Sequence, residues 1–135
     1  MLAKPISGRL SDTWGRKPMI VSGLCLCAVT LPLIPALTSI WLLIPVSACY
    51  GLGVAIVTPS TTALVADLVK AGRMGSAMGV FGTIWDTGEA AGPILAGFLI
   101  SSLSYAFAFS CIGALMLGMA LFFSLTVKDP GAART

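Results

Sequence analysis

The sequence contains no histidine and little charge. Of its 135 residues only 10% are charged, eight basic and five acidic, against about 25% in soluble globular domains. Too little polar surface is present to coat a water-facing domain, and charge-rich disorder needs the opposite composition. Without histidine, the four cysteines Cys25, Cys27, Cys49 and Cys111 stand alone inside apolar runs and show no CxxC spacing. Neither a zinc site nor a disulfide framework is indicated; the cysteines read as small packing residues. The net charge of +3 does not point to nucleic acid either, because the basic residues are spread over flanks and loops. No cofactor or metal is expected.

Apolar residues are what the chain has in abundance. They make up 57% of it, and mean hydropathy is +0.99. Residues 18–66 and 90–127 contain no charged side chain, and each run is long enough for one or two membrane spans of about 20 residues. The first run far exceeds the core of a signal peptide. Thr38-Ser39 and Ser101-Ser102 divide the runs, which predicts an all-α polytopic membrane protein with four transmembrane helices near 18–37, 40–66, 75–100 and 103–127. Residues 1–17 then form a loop and 128–135 a tail.

Four crossings place every basic residue on one side of the bilayer. Lys4, Arg9, Arg16 and Lys17 precede the first span, Lys70 and Arg73 lie between the second and third, and Lys128 and Arg134 follow the fourth. The other two turns are uncharged. This positive-inside pattern puts both chain ends in the cytoplasm and the spans in the plasma or inner membrane. Pro32, Pro35, Pro45, Pro59 and Pro93 should bend the helices, which lipid-embedded helices tolerate when neighbours satisfy the freed backbone groups.

The third span carries the ionisable chemistry. Asp86 and Glu89 sit near its middle, where an ionised carboxylate costs at least about 2.5 kcal/mol. At about 100° per residue they fall within about 60° of each other, with Gly79, Gly82, Pro93 and Gly97 in the same sector. Gly88, Gly92 and Ala96 form an adjoining ridge at small-xxx-small spacing, suited to close helix approach. The two carboxylates repel if both ionise, so the pair is expected to hold a proton or a cation, with Asp86 as the site and Glu89 tuning it. No basic residue on the four spans can pair with them at depth.

The segment Gly8-Arg9-Leu10-Ser11-Asp12-Thr13-Trp14-Gly15-Arg16-Lys17 resembles the loop signature of the major facilitator superfamily, with serine and threonine at two of its positions. The resemblance implies that Gly8, Asp12, Gly15, Arg16 and Lys17 act as a cytoplasmic latch between the two halves of a transporter. Gly79, Gly88, Gly92-Pro93 and Ala96-Gly97 look like the family's antiporter-type signature, and imply a packing and bending hinge. The family fold has twelve helices in two related halves. Ser47 stands where the fourth-helix signature has a membrane arginine, and 128–135 is short and polar, so the chain matches helices nine to twelve better than three to six.

The resemblance implies part of a secondary transporter, with proton-coupled export or exchange of a small organic solute or drug. Its partners would be the lipid bilayer, a small-molecule substrate, protons and the missing half of the transporter. A different class, a stand-alone four-helix protein forming a homo-oligomeric channel or scaffold through the Gly88/Gly92 ridge, is the alternative. A membrane enzyme would need a catalytic cluster at the interface, so no enzymatic activity is expected.

Overall fold

The computed structural model describes residues 15–69 and 72–127. Four α-helices account for nearly all of them: α1 (Arg16–Leu33), α2 (Ile40–Leu68), α3 (Met74–Ser102) and α4 (Tyr105–Thr126). Among the described residues, three segments are long and apolar enough to cross a membrane: Arg16–Ala36, Ile40–Leu68 and Tyr105–Thr126. The third expected span, α3, has 29 residues and the length to cross. Its two carboxylates and its glycines leave it less apolar than the other three helices.

The helix ends follow from local chemistry. Pro32 lies inside α1 and Pro35 at the start of a 3-10 turn, Ile34–Ala36. Each proline removes a backbone donor and disfavours the α conformation in the residue before it. The α-helix therefore stops at Leu33, four residues earlier than the hydropathy suggests. Pro45, Pro59 and Pro93 do not end their helices. The Ser104 hydroxyl caps α4 by accepting from the Phe107 amide at 3.4 Å, which gives one free first-turn donor a partner. Between α2 and α3 the chain turns at Gly72, with φ 96°, and ahead of α1 at Gly15, with φ 89°. Both are left-handed positions that favour glycine.

α1 is the centre of the bundle. It packs along α2 on one side and α4 on another, whereas α3 has only sparse contact with α2 and α4. Met19, Ile20, Gly23, Cys27, Ala28 and Thr30 are buried on α1, and α4 contributes only small buried residues, Ala108, Gly113 and Ala120. α3 has no buried residue. The large exposed side chains elsewhere, such as Trp41, Leu115 and Leu125, are the acyl-facing surface expected when lipid is the solvent.

Glycine sets how close these helices come. A Cβ at Gly53 would stand 2.5 Å from Cys27 Sγ and 2.9 Å from the Gly23 carbonyl oxygen; one at Gly113 would stand 2.8 Å from the Ala28 carbonyl oxygen. Cys27 itself donates its thiol to the Tyr50 carbonyl at 3.6 Å. Of the polar side chains buried in the bundle, Ser60 has no hydrogen-bond partner among the described residues, whereas the Thr30 hydroxyl donates to the Leu26 carbonyl of its own helix at 2.7 Å. That back-bonding lets a hydroxyl sit in an apolar contact at little cost.

Gly53→Ala should therefore destabilise the chain by about 1–3 kcal/mol through overpacking. Gly118→Ala, whose added Cβ meets nothing within 4 Å, should not destabilise it and should add up to about 1 kcal/mol through helix propensity. Thermal unfolding in detergent compares the two; equal effects would contradict the glycine contact.

Candidate functional site

Two groups of candidate side chains can be built from the fold, one at a bundle end and one on α3. At the first, Gly15 turns the chain into α1 and brings Arg16 to the start of the helix. α2 runs antiparallel alongside, and its last turn delivers Asp67. The Arg16 guanidinium forms an ion pair through Nε with the Asp67 carboxylate. Arg16 is 23% and Asp67 42% exposed, so the pair lies partly in water and ties the end of α2 to the start of α1. Asp67 is a residue of this candidate site that the sequence reading passed over. The signal was available: it is the first charge after a long uncharged run, at the end that carries the basic residues. Gly8 and Asp12 of the expected latch, and the tail at 128–135, lie outside the described residues; Lys17 lies on the first turn of α1.

At the second, α3 holds Asp86 and Glu89 on its exposed surface. Neither has an ion-pair partner among the described residues. Asp86 shares an open groove of about 550 Å³ with Thr83, Thr87, Ala90, Ala91 and Ile94. The Thr83 hydroxyl donates to the Gly79 carbonyl at 2.9 Å and the Thr87 hydroxyl to the Thr83 carbonyl at 2.7 Å. Both hydroxyl protons are thereby used, and what the two oxygens have left to offer is lone pairs. With a carboxylate between them, the groove presents acceptors on an apolar floor, an arrangement suited to a proton or a positively charged group.

The structure brings Asp86 and Glu89 to neighbouring positions on one helix, and sets both apart from Arg16 and Asp67. Gly79, Gly88, Gly92 and Gly97 would meet nothing within 4 Å if given a Cβ, and Pro93 is exposed, so these small residues of α3 are not pressed against another helix among the described residues. The close glycine contacts fall instead at Gly23, Gly53 and Gly113. Among the described residues no group of three or more potential ligands could hold a metal ion.

The comparisons with known proteins agree with this helical, membrane-spanning architecture. The family model described as Major Facilitator Superfamily matches residues 1–135. The chain is 32% identical over 133 residues to multidrug resistance protein 1 of Bacillus subtilis, covering 96% of this chain and 33% of that protein. It is 29% identical over 128 residues to the multi-drug resistance efflux pump PmrA of Streptococcus pneumoniae, covering 95% of this chain and 32% of the pump. With the MFS-type transporter ppz2 of Metarhizium majus it shares 36% identity over 102 residues, 75% of this chain and 17% of that transporter. The chain thus spans a third or less of the length of these relatives. A multi-pass helical membrane chain matched along its whole length by the family model, it belongs to the major facilitator superfamily.

Proposed function

We propose that the chain forms four helices of one half of a drug-export transporter and that α3 supplies its coupling site. The observation that carries this reading is the groove on α3, where Asp86 stands beside two threonine oxygens with no cationic partner among the described residues. An unpaired carboxylate at that depth is costly; a proton or a cationic solute offsets the cost in turn. Alternation between the two is the basis of proton-coupled exchange. Glu89, one turn away, adjusts how readily Asp86 holds its proton, because two neighbouring carboxylates resist ionising together.

The rest of the fold serves this cycle. Gly79, Gly88, Gly92, Pro93 and Gly97 give α3 a narrow face against which helices of the other half can slide, and Gly8, Asp12, Gly15, Arg16 and Lys17 form the latch at the cytoplasmic end. Asp67 joins that latch through Arg16. Ser47, where a first-half chain carries arginine, supports assignment to helices nine to twelve. The one-sided basic residues support cytoplasmic chain ends and a plasma or inner membrane location. The relatives named for multidrug resistance and efflux support a small organic solute or drug as substrate.

In a transporter of full family length carrying this chain, Asp86→Asn should lower proton-driven drug efflux from vesicles by at least about tenfold while leaving insertion unchanged, the loss expected when a group needed for proton transfer is removed. Unaltered efflux would remove Asp86 from the mechanism. For the latch, a double-mutant cycle of Arg16→Gln and Asp67→Asn, read by thermal unfolding in detergent, should give a coupling of about 0.2–1 kcal/mol, the range of partly exposed ion pairs. Strictly additive effects would show that the pair does not tie α1 to α2.

A further inference from the structure

A second opening lies between α2 and α3, away from the Asp86 groove. Leu68 at the end of α2 and Val80, Phe81 and Ile84 on α3 wall an open groove of about 590 Å³, with Arg73 and Ser76 at one end. Its polarity is confined to that end. Leu68, Val80 and Ile84 are 63%, 59% and 68% exposed, so much apolar wall is left uncovered by this chain. Arg73 is exposed and has no acidic partner among the described residues, whereas Asp67, the acid nearest to it in sequence, is engaged by Arg16. The same loop carries Lys70, and no acid lies in the first turn of α3.

We propose that this groove holds one anionic glycerophospholipid, its phosphate on Arg73 and an acyl chain along Val80, Phe81 and Ile84. Charge complementarity selects the head: an unpaired guanidinium offers a bidentate fork to phosphate, and basic pockets between membrane helices recruit anionic headgroups. The walls select the tail. Beyond the mouth they offer no polar partner, so an extended peptide segment would bury backbone groups there without hydrogen bonds, while an acyl chain has none to satisfy. The lipid would fill the space between two helices in sparse contact, coupling the position of α3 to the charge of the surrounding bilayer.

The test is native mass spectrometry of the 135-residue chain released from micelles containing equimolar phosphatidylglycerol and phosphatidylcholine. One phosphatidylglycerol per chain should be retained, favoured over phosphatidylcholine by about fivefold, the scale of one basic residue at an anionic surface. Arg73→Lys, which keeps the charge and loses the fork, should keep part of that preference, and Arg73→Gln should abolish it. Ala77 also lines the groove; Ala77→Trp, which fills it while keeping the charge, should lose the retained lipid of either kind while helix content by circular dichroism stays the same. An unchanged preference in Arg73→Gln, or lipid retention unaffected by Ala77→Trp, would overturn the proposal. So would a lipid-free dimer dispersed by Ala77→Trp, which would identify a second copy of the chain as the occupant.

Discussion

The approach of α2 and α4 to α1 through glycine is the constraint on which the rest of the structure depends. Lipid tails are as apolar as leucine, so burial alone gives membrane helices little reason to prefer one another; close packing and backbone proximity must supply it. Gly23 and Gly53 face each other's carbonyl oxygens, and Gly113 lies over that of Ala28. These contacts make α1 the axis of the bundle. They also fix the antiparallel register that brings Arg16 at the beginning of α1 to Asp67 at the end of α2.

α3 is built on the opposite plan. It has the same length as α2, yet its glycines meet nothing and its acids are unpaired among the described residues. A helix so composed is poorly suited to a purely acyl surrounding, since each carboxylate at depth is costly. It suits a face turned toward water, a solute or another helical unit. The division between a cohesive group of α1, α2 and α4 and a loosely held α3 fits a transporter, in which the element bearing the ionisable residue must change its surroundings during a cycle.

Much of this was legible in the sequence, for a reason peculiar to membranes: a span is announced by the absence of charge, and residues 18–66 and 90–127 have none. The family resemblance could likewise be read directly, because residue type and spacing carry it. The packing could not. Gly23, Gly53 and Gly113 are no more conspicuous as a pattern than Gly88 and Gly92, and only the pairing of helices shows which glycines are pressed against a neighbour. Asp67 was hidden similarly, since its meaning comes from Arg16, fifty-one positions earlier in the numbering. The early end of α1 was written in Pro32 and Pro35, but hydropathy, indifferent to backbone donors, runs past it.

The most direct test of this account is the accessibility of two thiols in membrane vesicles. In chains lacking Cys25, Cys49 and Cys111, one retains Cys27, which is 1% exposed and pressed against Gly53. The other replaces Cys27 as well and carries Thr87→Cys on the Asp86 groove of α3. A membrane-impermeant maleimide applied to both sides should label the thiol at position 87 and leave Cys27 unmodified. Labelling of Cys27 with silence at position 87 would contradict the account, because it would mean that the α1–α2 contact is open and the acidic face of α3 is sealed.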